Sequence, residues 1–164
     1  MGHALIRFAA AIAVSLLAAS PAPARGGAPD ARDTAIIQDC IKSNSLPDAD
    51  WEVCIGRVSK SCLNREETRS TADMIACIDR EQKVWDDILN ETFSRLREKL
   101  DDKQRVKLRD MQRAWISSRE RSCAFYWDYF QGTMASPMSA SCINRETGRR
   151  ALFLLGFLND AEGK

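Results

Sequence analysis

The apolar positions of this chain recur with a helical period over most of its length. From Thr71, an expected N-cap, Met74, Ile78, Trp85, Leu89, Phe93, Leu96 and Leu100 succeed one another in steps of three, four and seven, which puts them on one face of a helix of about eight turns. Asp101-Asp102 supplies both a stop and a new cap. A second stripe then carries Leu108, Met111, Trp115, Ser118, Ser122, Phe125 and Tyr129. The stretch Phe130 to Ala140, "FQGTMASPMSA", reads as a loop, because Gly132 can end a helix and Pro137 cannot continue one. A third helix is expected from Ser141 through Ile143, Thr147, Ala151, Leu154 and Leu158. Upstream, Thr34 to Ser45 is a shorter helical candidate with Ile37 and Ile41, Pro47 interrupts the chain after it, and Gly/Pro/Ala-rich Arg25 to Asp33 reads as a flexible leader. No stretch alternates with period two for long enough to argue for a strand. The predicted fold class is all-α: a small helical bundle over residues 34–164, built around a long antiparallel helical hairpin plus a C-terminal helix.

The first 24 residues change how the rest is read. "MGHALIRFAAAIAVSLLAASPAPA" has Arg7 near its start, an apolar run from Phe8 to Ala19, and a small-x-small site at Ala22-Pro23-Ala24, the pattern of a signal peptide cleaved after Ala24. The run is shorter than the roughly 20 residues that span a bilayer. A periplasmic or secreted bacterial protein without a membrane anchor after cleavage is expected, and no cysteine stands at the junction to carry a lipid. His3, the single histidine, leaves with this segment. So does Arg7, which brings the 24 basic residues level with the 23 acidic ones. A formal charge near zero argues against nucleic acid or an anionic membrane as the main partner.

All six cysteines, at 40, 54, 62, 77, 123 and 142, lie beyond the cleavage site. An even count in an exported chain of about 140 residues reads as three disulfides with 15 formal pairings. With no CxxC and no remaining histidine, neither a metal site nor a cofactor is expected.

Catalytic chemistry has little material. A Ser-His-Asp or Cys-His site is excluded without histidine. Asp86, Asp87 and Glu91 could be drawn as glycosidase carboxylates, but Asp87 and Glu91 stand at i and i+4 on a solvated face rather than across a cleft. A non-enzymatic binding module is the expectation. Trp115 and Arg119, also i and i+4, share a helical face, and with Asp86 and Asn90 of the preceding helix they form a candidate structural cluster. The densest aromatic run is "FYWDYF". Phe125, Tyr126, Trp127, Tyr129 and Phe130 surround the helix, so some must be exposed for protein contact or covered by the Cys40 to Cys62 segment. Met134 and Met138 in the loop after them are further contact candidates.

Cys62, Thr71, Met74, Cys77, Leu89-Asn90, "QRAWISSRERSC" from Gln112 to Cys123, Gly132, Cys142, Thr147 and Arg150 together resemble the lysozyme inhibitor LprI-like family of exported bacterial helical proteins. The resemblance covers roughly Cys62 to Leu158. It implies a helical binding protein acting on a protein partner, a lysozyme in the first instance; the alternative is an envelope structural or adaptor protein with no lysozyme contact. The family pattern further implies that Cys40 pairs with Cys54, beside Cys62–Cys77 and Cys123–Cys142. A Cys123–Cys142 bridge would staple the loop between two helices, whereas the pairing among the four upstream cysteines remains open on the residues alone.

Three similar hexapeptides, "SCLNRE" at Ser61, "ACIDRE" at Ala76 and "SCINRE" at Ser141, do not continue into similar sequence. They read as helix-entry chemistry, with Asn64 and Glu67 spaced as capping-box partners and Ser141 opening the last helix; Asp79, with Gln82, falls inside a helix and matches only by accident.

Overall fold

The computed structural model describes residues 29–44 and 50–163. The expected signal segment and Pro47 lie outside them. The order is α1 (Ala31–Ser43), a 3-10 turn (Trp51–Cys54), α2 (Arg57–Leu63), α3 (Thr71–Lys99), α4 (Asp102–Phe130) and α5 (Ala135–Glu162), with no strand among the described residues. This is the all-α bundle expected from the periodicity, with the three disulfides expected from the cysteine count.

Each long helix begins where its sequence satisfies the free N–H groups of the first turn. At α3 the cap is Ser70, not Thr71. The Ser70 hydroxyl accepts from the Asp73 N–H at 3.1 Å and the Asp73 carboxylate accepts from the Ser70 N–H at 3.0 Å, a reciprocal box that Thr71 could not form. At α4, Asp101 and Gln104 form the same box at 2.8 and 3.0 Å. Helix α1 starts at Ala31, capped by Asp30, so the leader expected through Asp33 ends earlier. Asp33 is 2% exposed and accepts from the Arg80 guanidinium at 2.9 and 2.7 Å, which fixes α1 to α3.

The loop expected over Phe130 to Ala140 is much shorter. Gln131, with φ 41°, ends α4 in the left-handed region, and α5 begins at Ala135 rather than Ser141. Pro137 therefore sits in the first turn, where no intrahelical acceptor is available for its missing N–H, and Met138 N–H already reaches the Met134 carbonyl. The hexapeptide reading is corrected too. Asn64 closes α2 instead of opening a helix, and Ser141 lies inside α5.

Helices α3 and α5 run parallel, as three contacts advancing together show: Asn144 to Glu81 at 3.0 Å, Gln82 to Thr147 at 3.2 Å and Arg95 to Glu162 at 2.7 Å. Helix α4 runs antiparallel to α5, with Cys123 bonded to Cys142 and Gln112 accepting from Arg150 at 2.8 Å. The principal contacts of both hairpin arms, α3 and α4, are with α5. The core joins Val84, Trp85, Leu89 and Leu96 of α3 to Ala151, Leu154 and Leu158 of α5, with Ile37, Val58 and Leu108 closing its edges. Gly148 lets α5 pack closely: a Cβ there would lie 3.0 Å from Ile55 and 3.2 Å from the Trp85 ring, so both would have to shift.

Glu81 ties three elements together. Its carboxylate is fully buried and accepts five hydrogen bonds, from the Gly56, Val58 and Ser59 N–H groups at 2.6 to 3.0 Å, the Trp85 indole at 3.0 Å and Asn144 at 3.0 Å. Gly56, at φ 97°, supplies the left-handed turn that aims its own N–H at this carboxylate. The disulfides fall at further junctions. Cys40–Cys54 links α1 to the 3-10 turn, Cys62–Cys77 links α2 to α3, and Cys123–Cys142 links α4 to α5.

Candidate functional site

Helix α4 buries only Leu108 and Cys123 completely. Its stripe tracks α5 through Leu108, Met111 and Trp115 and then leaves the core, because no further helix among the described residues lies over its last turns. Ser118, Ser122, Phe125 and Tyr129 are exposed. The described residues of the Cys40 to Cys62 segment do not cover the aromatic run: Phe125 is 61%, Trp127 54% and Tyr129 70% exposed. Phe130 and Met134 are exposed as well, while Tyr126 and Met138 are partly buried, Met138 now within α5.

Four of these rings pack on one another rather than on the core. Tyr126 stacks on Phe130 with centroids 5.8 Å apart, Tyr129 meets Phe130 edge-on at 5.1 Å, and Phe125 lies 6.2 Å from Tyr129. They wall a groove of about 490 Å³ between α4 and α5, a size usual for ligand sites. Trp115, Ser118, Arg119 and Ser122 continue the α4 wall, and Cys142, Arg145 and Glu146 form the α5 side. Trp127, Met134 and Met138 do not line it.

The expected cluster of Asp86, Asn90, Trp115 and Arg119 divides in two. Asp86 and Asn90 bond to each other at 3.2 Å on the exposed face of α3. Each stands one residue beyond a buried position, Trp85 or Leu89, and so turns about 100° away from the core. Arg119 instead donates to the Thr147 hydroxyl at 3.0 Å and lies over the Trp115 ring at 4.7 Å. Asp87 and Glu91 are exposed, and Glu91 pairs with Arg95 at 3.6 Å. They do not converge on a cleft.

A second arginine reaches Trp115: Arg150, 8% exposed, has its guanidinium 5.6 Å from the Trp115 centroid and 5.1 Å from that of Phe153. Its Nε donates to Gln112, it forms no ion pair among the described residues, and its Nη2 has no hydrogen-bond partner there. Burial pushes its pKa below the ordinary arginine value. Arg150 also borders a second hollow of about 500 Å³ together with Trp51, Glu52 and Arg149. Gln112, Trp115, Arg119 and Cys123 thus all touch α5, so the motif "QRAWISSRERSC" is the face on which the two helices are joined. Sequence reasoning missed Arg145, Glu146 and the role of Thr147; their stripe was visible, but not which helix would lie opposite it.

The fold and the groove define a disulfide-stapled helical domain with an aromatic and arginine-lined seam between α4 and α5. Residues 62–154 match the family model of the lysozyme inhibitor LprI, and the chain belongs to that family. No curated protein and no solved structure shows a significant match.

Proposed function

We propose that this protein binds another protein through the α4–α5 seam, acting as an exported lysozyme inhibitor. The observation that carries this is the cluster formed by Phe125, Tyr126, Tyr129 and Phe130, largely open to solvent on a helix bonded to its neighbour through Cys123–Cys142. Large rings on a rigid support lose little conformational freedom on binding and supply most of the contact energy of typical interfaces. An exposed apolar cluster beside a groove is also where a monomeric domain meets a partner. The family supports a lysozyme as that partner.

Occlusion is the mechanism, since the exposed acids Asp86, Asp87 and Glu91 are not arranged for hydrolysis. Seating a partner on the rings would bury Phe125 and Tyr129, while Met134 at the α4–α5 turn and Trp127 would meet the rim. The test is protection of bacterial cells from lysis in a turbidity assay with lysozymes of several types. Protection at micromolar protein is expected, reduced at least tenfold by a Phe125→Ser, Tyr129→Ser double variant. No protection against any lysozyme type sinks the inhibitor assignment.

A further inference from the structure

Of the described arginines, Arg150 is buried, and Arg105, Arg119 and Arg145 are half-buried. Arg105 pairs with Asp102 at 2.7 Å and Arg145 with Glu146 at 3.5 Å. Arg119 and Arg150 have no carboxylate partner among the described residues, yet both lie over one indole, Trp115, at 4.7 and 5.6 Å from its centroid. A guanidinium withdrawn from water without a counter-charge is costly unless something else supplies the charge. Cation–π stacking offsets part of that cost and leaves the edges of the fork free. Arg119 is fixed at one nitrogen by Thr147 and lines the groove; Arg150, with an unpartnered Nη2, does not line it but adds a second positive charge 5.6 Å from the Trp115 ring centroid. The groove's own acid, Glu146, is already held by Arg145 and Arg149, the latter at 3.4 Å.

We infer that the seam takes a carboxylate: a projecting Asp or Glu side chain of a protein partner pairs with Arg119, while the flanking apolar atoms of that segment lie on Tyr126 and Phe130. Ser118 and Ser122 offer hydroxyl donors on the same wall. An arginine fork held in place by stacking and by Thr147 loses little freedom when it donates to the two carboxylate oxygens. The inference rests on the protein-contact assignment of this face and names the chemistry of the group that enters it.

The experiment uses the full chain with its disulfides formed, labelled for nitrogen NMR, and titrated with the blocked peptide acetyl-Gly-Glu-Gly-amide into the tens of millimolar. The glutamine peptide, identical but uncharged, and matched sodium chloride serve as comparisons. A saturable shift of the Arg119 Nε–H and Trp115 indole N–H signals is expected with the glutamate peptide alone. Arg119→Gln should weaken binding at least tenfold, read at Trp115, and Arg119→Lys should keep weaker binding. No saturable shift, an equal response to the glutamine peptide, or undiminished binding in Arg119→Gln overturns the inference; if Arg119→Gln does not fold, the peptide comparison on the native chain still decides. Failure here leaves a neutral protein partner standing, whereas lack of lysozyme protection with an intact carboxylate response removes only lysozyme.

Discussion

Replacing Glu81 by glutamine tests whether one buried carboxylate holds α2, α3 and α5 in place. Oε1 accepts from Gly56, Trp85 and Asn144, and Oε2 accepts from Val58 and Ser59. An amide has one oxygen, so the least damaging orientation keeps it at the Oε1 position and sets the NH₂ against the Val58 and Ser59 N–H groups. Two buried donors then lose their acceptor and meet another donor. Each unsatisfied buried donor costs about 1–3 kcal/mol, so a loss of about 2–6 kcal/mol is expected for the pair. That is a large part of the roughly 5–15 kcal/mol stability typical of a domain. Urea unfolding with the disulfides intact measures it, and Glu81→Leu, which strands all five donors, should cost more. A loss below about 1 kcal/mol for Glu81→Gln would refute the reasoning, because water or backbone relaxation would then be satisfying Val58 and Ser59.

Other substitutions probe separate links. Gly148→Ala should lose about 1–3 kcal/mol by forcing a methyl group against Ile55 and Trp85, measured as a lowered urea midpoint at unchanged slope. Asp33→Asn should cost about 1–2 kcal/mol, below the value for a fully buried pair because the Arg80 side chain is 44% exposed, and should raise amide exchange across α1. Converting Cys123 and Cys142 together to serine should cost about 3 kcal/mol by the loop-closure estimate and loosen the groove, seen as faster exchange in α4 after Trp115. The Ser70 hydroxyl and N–H hold the Asp73 pKa below its ordinary value. A depressed carboxylate pKa contributes stability above the unfolded value and loses it as pH falls through the folded one, so Asp73→Asn should lower Tm at pH 7 by a margin that narrows below about pH 4.

How much was legible in the sequence depended on whether a residue's surroundings were local. The stripe from Ile78 through Trp85 and Leu89 to Leu96 could be read because burial on one face imposes its own period. The Asp101 cap could be read because its donors lie within one turn. Pro137 misled because proline is a breaker everywhere except the first turn, and only the left-handed Gln131 reveals that α5 starts early. Glu81 was invisible for a different reason. A charge within "ACIDRE" reads as surface, and its burial depends on backbone N–H groups more than 20 residues away. Arg119 over Trp115 follows from their i and i+4 spacing, but nothing local announces that α5 presents Thr147 to it while Asp86 stays on the exposed face of α3. That the rings of Phe125 to Phe130 could not all face inward is a consequence of helical geometry alone. Which elements would leave them uncovered is not.

Whether the α4–α5 seam is the contact face is tested most directly by hydrogen exchange of the full chain, with and without a lysozyme it inhibits. Protection confined to residues 115–130 and 139–150, with the Asp86 to Asn90 face of α3 unchanged, is the predicted result. Protection centred on α3 with the seam unaltered would contradict it.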